Sequence, residues 1–397
     1  MFTNVKLKLF TFVNQNKAMD YLQLATQYLE TKLKGKYIYL DTILPILQSL
    51  NSDFEISEIG KSVQERVIHQ VKIGTGKTKI LMWSQMHGNE STTTKAVIDL
   101  LNLLNSENEW AKTILSKYTL KIIPMLNPDG AFLYTRANAV QVDLNRDSQD
   151  LTQPESRVLK QVYTQFKPDF GFNLHDQRTI FGVGNTNKPA TVSFLSPSYN
   201  ENRDVNEVRK KAMSVIVTMN NELQKHISGQ VGRFDDGFNL NCIGDTLQYC
   251  GIPTILFESG HYPNDYSREE TRKYIFISLI TALKNITDIN YSVNPIHKYQ
   301  EIPQNNTDFY DIIVRNVGGV GGKIKKNITF GLQYQEVLRD SAIDWVAHVF
   351  DVEENLNKFG HLEFDAQGKE VDIEPIVGEI ANFSVGNICF KEGKLVN

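Results

Sequence analysis

Cysteine is scarce, long apolar runs are missing, and charge of neither sign dominates. Cys242, Cys250 and Cys389 are the chain's three cysteines. They cannot form a disulfide framework, and no CxxC or Cys/His spacing offers a thiolate zinc site. Free thiols fit a reducing compartment. No stretch of about 18 uncharged apolar residues occurs, which argues against a transmembrane helix. Lys6, Lys8 and Asn14 interrupt the opening "MFTNVKLKLFTFVNQNKAMDY", and no small-residue cleavage site follows, so it does not read as a secretory signal. A cytoplasmic location is expected. The NxS/T sequons, Asn89 among them, are then chance matches. The formal net charge of −4, from 42 basic and 46 acidic residues, gives no electrostatic footprint for nucleic acid or a membrane. Oligomeric state is not legible.

What is present is ordinary globular patterning, 41% hydrophobic and 22% charged over 397 residues. That length allows two or three domains, or one large α/β domain with an accessory. Residues 1–50 read as an N-terminal helical segment, with short amphipathic helices over 17–33 and 41–50. "DFEISEIG" and "ERVIHQVKIG" alternate and form a hairpin through "KSVQ". Beyond them strands alternate with helices: "KTKILMWSQM", helix 91–105, "YTLKIIPML", helix 154–166, "DFGFNLH", "ATVSFLS", helix 202–226, "PTILFES" and helix 267–286. The pattern predicts a mixed or mostly parallel sheet covered by helices over 51–290. From 305 to 397, short alternating runs separated by Gly and Asn predict a small all-β domain after a linker. "IGTGKTK" imitates a phosphate-binding loop, but Val71 stands where GxxxxGK[ST] needs glycine. "GTGKT" reads instead as a hairpin turn.

In an open α/β sheet, ligands bind at the carboxyl ends of the strands. Four predicted strands end in residues suited to chemistry. His87 and Glu90 follow "KILMWSQM", Asn127-Pro128-Asp129 follows "KIIPML", His175 closes "DFGFNL", and Glu258 closes "PTILF". HxxE alone more often marks a surface ion pair than a ligand pair, and Glu90 also suits a helix start. Together with His175, however, it supplies two imidazoles and a carboxylate, the usual open zinc set. A glutamate ending an apolar strand is costly to bury without a partner.

The ordered motifs "HGNE", "NPDG", "VDLNRD", "FNLHD" and "ILFESG" resemble those of zinc carboxypeptidases similar to carboxypeptidase A, over roughly residues 55 to 285. The resemblance implies an eight-stranded mixed sheet sandwiched by helices, with one Zn²⁺ held by His87, Glu90 and His175. It implies Glu258 as the catalytic glutamate and Asp143 as the partner of the first zinc histidine. Asn145 and Arg146 match the pair that binds the substrate's terminal carboxylate, and Arg136 the arginine that stabilises the oxyanion. The implied substrate is a peptide or small amide with a free carboxylate. An aspartoacylase-type amidohydrolase of N-acyl amino acids, or a non-catalytic binding module, would share part of this set. One departure concerns specificity: "GRFDDGFNLNCIGD" has no tyrosine where the family carries its substrate-facing one, and Tyr249 lies too close to Glu258 to replace it. Arg178, His261, Asp235 and Asp236 are expected to make the pocket polar.

Overall fold

Alternate residues of the strand Thr78–Ser84 face two different cores. Ile80 and Met82 join one apolar cluster, whereas Leu81 and Trp83 join another. A strand buried on both faces must lie inside a sheet covered on both sides. The computed structural model, which describes residues 20–320 and 323–396, has that form.

In chain order the elements are α1 (Tyr21–Gln27), α2 (Leu40–Gln48), β1 (Glu55–Lys61), β2 (Val67–Ile73), β3 (Thr78–Ser84), α3 (Thr92–Leu104), α4 (Glu109–Lys117), β4 (Tyr118–Ile123) and α5 (Pro128–Leu133). They continue with α6 (Pro154–Phe166), β5 (Phe170–Asp176), β6 (Gly182–Val183), β7 (Val192–Leu195), α7 (Glu207–Leu223), β8 (Val231–Arg233), α8 (Ile243–Tyr249), β9 (Thr254–Ser259) and α9 (Glu269–Asn285). The expected helix over 17–33 is described as α1 alone; its first residues, 17–19, lie outside the described residues. Asp20 caps α1 by accepting from Gln23 N at 3.0 Å. The expected helix over 202–226 starts only at Glu207, because Asn206 caps it by accepting from Arg209 N at 2.9 Å.

The eight strands order as β1-β2-β4-β3-β5-β9-β7-β8. The central run β4-β3-β5-β9 is parallel, and antiparallel pairings flank it at β2 and β7. The sheet is the expected mixed, eight-stranded one. Helices α3, α7 and α9 cover one face through Val97, Leu101, Ile216, Ile275 and Leu279. Helices α6 and α8 cover the other through Leu159, Val162 and Leu247. One expectation fails: "GTGKT" is not a hairpin turn, because β4 lies between β2 and β3. The loop instead wraps the start of β4. A Cβ at Gly76 would stand 1.8 Å from the Lys117 carbonyl carbon, so only glycine allows that approach.

Beyond α9 come α10 (Ile296–Gln300) and β10 (Asn305–Asn306), which pairs with β6. A second sheet follows, built on β11 (Phe309–Val320), β12 (Lys323–Arg339), β13 (Ala342–Glu354) and β14 (Phe359–Asp365). Its own core gathers Ile312, Val314, Phe330, Leu332, Val349 and Phe383. The all-β tail is therefore present as a C-terminal sheet domain.

A buried ion pair ties the helical layer to the segment before the first strand. Arg272 on α9 donates from Nε to Asp99 Oδ2 on α3 at 2.6 Å, with both side chains at most 2% exposed. Arg272 also donates to the Leu33 and Glu30 carbonyls, and Asp99 accepts from Glu30 N at 2.7 Å. Asp99→Ala would leave the buried guanidinium with Glu269, at 3.2 Å, as its remaining carboxylate partner, and a loss of about 3 kcal/mol in stability is expected. Denaturant titration of the variant beside the parent checks this.

Candidate metal centre

The centre begins where β3 stops. Gln85 takes a left-handed conformation, φ 49°, and its amide donates to the Ile38 carbonyl at 2.7 Å and the Gly88 carbonyl at 2.8 Å. That anchor turns the chain so that Glu90 N bonds the His87 carbonyl at 3.1 Å, and both side chains face the same way. Gly88 sits in the bend, where a Cβ would stand 1.8 Å from the Gly130 carbonyl carbon. Backbone here meets backbone.

His175 arrives one residue before the end of β5. Its Nδ1 lies 2.8 Å from Glu90 Oε2 and 3.1 Å from His87 Nδ1, and His87 Nδ1 lies 2.9 Å from Glu90 Oε1. All three residues are buried, and one donor atom from each fits within 4.8 Å of the others. Ligands about 2.0–2.2 Å from a tetrahedral zinc ion sit at comparable mutual spacing. Two ring nitrogens and a carboxylate converging this closely need a cation or shared protons between them. The residues fit one zinc ion.

Asp143 orients the first histidine. Its Oδ1 lies 3.0 Å from His87 Nε2 and accepts from Asn145 N at 2.8 Å, while Oδ2 accepts from Arg136 Nε at 3.1 Å. With a proton held on Nε2, the Nδ1 lone pair is left facing the centre. Arg136 Nη1 also donates to Glu90 Oε1 at 3.0 Å. Burial would raise the Glu90 pKa, but the two imidazoles outweigh it and hold the carboxylate well below its usual range. Burial likewise opposes the His87 imidazolium, yet Glu90 and Asp143 hold its pKa above the ordinary value. For His175, burial wins and the pKa falls.

Glu258 is the direct neighbour of His175 across the β5–β9 ladder. Its Oε2 is buried with no hydrogen-bond partner among the described residues. Burial, then repulsion from Glu90 and Asp176, pushes its pKa well above the usual carboxylate range. Asp176, given no role from sequence, accepts from Thr92 N at 2.9 Å and from Thr93 N at 3.3 Å. It thereby joins the end of β5 to the start of α3. Its only signal was its place in "FNLHD".

A cavity of about 540 Å³ opens beside the centre, with Glu90, Arg136, Asp176 and Arg178 in its wall. Asn145 and Arg146 do not line it. They sit beside α8, where Asn145 Oδ1 accepts from Ile243 N at 3.0 Å and Arg146 Nη1 donates to Cys242 Sγ at 3.1 Å. The expected polar pocket holds only for Arg178. Asp236 is taken up by Arg209 at 2.6 Å, Asp235 pairs with Arg203 at 3.2 Å, and neither lines the cavity. His261 is buried behind it, its ring 4.7 Å from that of Tyr266 and 4.0 Å from that of His361. Tyr249 is 64% exposed at the end of α8 and also lies outside the cavity.

Residues 42–235 match the family model described as zinc carboxypeptidase. This stretch is a zinc carboxypeptidase domain. Carboxypeptidase 2 of Trichophyton rubrum is 32% identical over 100 residues, 25% of this chain and 19% of that one. Cytosolic carboxypeptidase 6 of Mus musculus is 29% identical over 180 residues, 41% of this chain and 32% of that one. The chain thus spans from under a fifth to about a third of the length of these curated relatives. Among solved structures, that of thrombin activatable fibrinolysis inhibitor superposes with a TM-score of 0.51 at 12% identity, covering 67% of this chain and 81% of that one. It shares the fold of the zinc carboxypeptidase domain.

The family's zinc and the convergent donors lead to one expectation. Protein purified without chelator should carry about one zinc per chain by elemental analysis, and chelation should lower its melting temperature. Gly88→Ala should lose the metal as His175→Ala does, because the bend that pairs His87 with Glu90 has no room for a methyl group.

Proposed function

We propose that the zinc carboxypeptidase domain removes the C-terminal residue of peptides by hydrolysis. The observation that carries this reading is that His87, Glu90 and His175 converge on one point, with Glu258 beside His175 on the next strand. A zinc ion held there supplies Lewis acidity and brings the pKa of a coordinated water to about 7.

The chain's own residues divide the remaining work. Glu258 accepts the attacking water's proton and delivers it to the leaving amine; its raised pKa, set by burial beside Glu90 and Asp176, suits a group that must take a proton and give it back near neutral pH. Arg136, its side chain 49% exposed and fixed by Asp143 and Glu90, faces the cavity and stabilises the oxyanion. Asn145 and Arg146 hold the terminal carboxylate, Arg146 by the planar fork that suits a carboxylate. Arg178 adds a cation to the cavity wall for the substrate. Asp143 keeps His87 in the tautomer that leaves Nδ1 free.

A cytoplasmic setting is part of the proposal. It is supported by the free thiols and by the likeness to relatives named cytosolic carboxypeptidase. Among the described residues no helix is long and apolar enough to cross a membrane.

Three measurements test the assignment. Glu258→Gln should retain zinc yet lose about 10²- to 10⁴-fold in kcat, the usual contribution of a positioned proton carrier; unchanged turnover would remove Glu258 from its role. Arg146→Ala should raise KM for peptides with a free C-terminus while leaving C-terminally amidated peptides as poor as they are for the parent. Hydrolysis of N-acyl amino acids alone, with no peptide cleaved, would replace the peptidase reading with an amidohydrolase one.

A further inference from the structure

The carboxypeptidase reading leaves the C-terminal sheet domain without a task, yet that domain forms the far wall of the cavity. Tyr334 on β12, with Trp345, His348 and Phe350 on β13, line it opposite Glu90 and Arg136. The wall is fastened to the part of the chain that precedes it at several points. Glu336 accepts from Lys36 and Tyr134, Gln333 Nε2 donates to Thr179 Oγ1 at 2.7 Å, and Tyr266 donates to Asp311 Oδ1 at 2.9 Å. The Tyr334 and Trp345 rings pack edge-on against Tyr266, with centroids 5.2 and 6.1 Å apart. The Trp345 indole Nε1 is buried with no acceptor among the described residues. An aromatic surface lining the cavity that also holds Glu90 and Arg136 has the make-up of a recognition surface.

The position of Asn145 and Arg146 decides what enters. If they hold the terminal carboxylate beside α8, the scissile carbonyl lies within one residue of it, a reach of at most about 3.6 Å per residue. The substrate's remaining chain then has to leave past Glu90 and Arg136, which is into this cavity. Its volume of about 540 Å³ is of the size that encloses a drug-sized ligand, more than a small acyl group fills. The geometry points to the C-terminal sheet domain as the specificity wall for the residues on the amino side of the scissile bond. Trp345, Tyr334 and Phe350 contact them, and the substrate is a peptide extended by several residues there.

This inference rests on the carboxypeptidase reading, and the test separates the two. The full zinc-loaded chain is assayed on an N-acetylated dipeptide and on a pentapeptide with the same last two residues. The pentapeptide should be preferred about tenfold in kcat/KM, and Trp345→Ala should abolish that preference through KM, as truncation of an aromatic anchor does. The dipeptide, with one residue on the amino side, should lose less than the pentapeptide, and Trp345→Phe should restore most of the preference. Phe350→Ala, at a residue 51% exposed, keeps the test open if Trp345→Ala fails to fold. Equal kcat/KM for the two peptides, or variants that slow both alike, would overturn the wall. If neither peptide is cleaved, the carboxypeptidase reading fails. Calorimetric titration of the pentapeptide then decides: binding weakened about tenfold by Trp345→Ala supports the wall, and absent or unchanged binding overturns it.

Discussion

The buried carboxylate of Glu90 between two imidazoles is the interaction around which the rest is arranged. A carboxylate taken out of water is costly, and here the cost is offset by three side chains, His87, His175 and Arg136, which face it at 2.8–3.0 Å, and by the Asp176 amide at 3.2 Å. None of the three lies beside Glu90 by chain continuity alone. His87 needs the Gln85 anchor and the bare bend at Gly88, His175 needs the β3–β5 pairing, and Arg136 needs Asp143. Burial first, and then repulsion from Glu90 and Asp176, raises the Glu258 pKa. The Glu90 carboxylate thus bears on both the convergent donors and the group next to them.

Sheet topology delivers these groups. Parallel strands β4, β3, β5 and β9 all end at one rim, so residues distant in sequence emerge side by side. Asp176 locks the rim by capping α3 from the end of β5. That joins the strand carrying His175 to the helix that follows Glu90. A strand thus sets His175, while the bend that carries His87 and Glu90 is held between β3 and α3 by the Gln85 amide.

The second sheet changes how the site is bounded. Without it, the Asp176–Thr179 segment and Arg268 would form an open shelf. With it, aromatic residues from β12 and β13 close the opposite side. Buried acidic groups at this junction are each matched: Glu336 by Lys36 and Tyr134, and Asp311 by Tyr266, Gln333 and the Tyr334 amide. Burial still raises the Asp311 pKa to about 6.

By itself the sequence determined the strand–helix alternation and the residues HGNE, FNLHD and ESG at strand ends, because period and local spacing are written in neighbouring residues. It also carried the shift to an all-β tail. Strand order was beyond it. The loop 74–78 looks like a hairpin turn until β4 is found inserted between β2 and β3, and pairing between distant strands has no local signature. Likewise, only the tertiary structure decided that Asp236 and His261 turn away from the cavity into Arg209 and the aromatic packing. It alone placed Trp345 and Tyr334, some 160 to 170 residues after His175 in the chain, in the wall of the cavity that Glu90 also lines. Such contacts depend on how two separately cored sheets dock, and docking is settled by surface shape and buried polar pairs rather than by any run of adjacent residues.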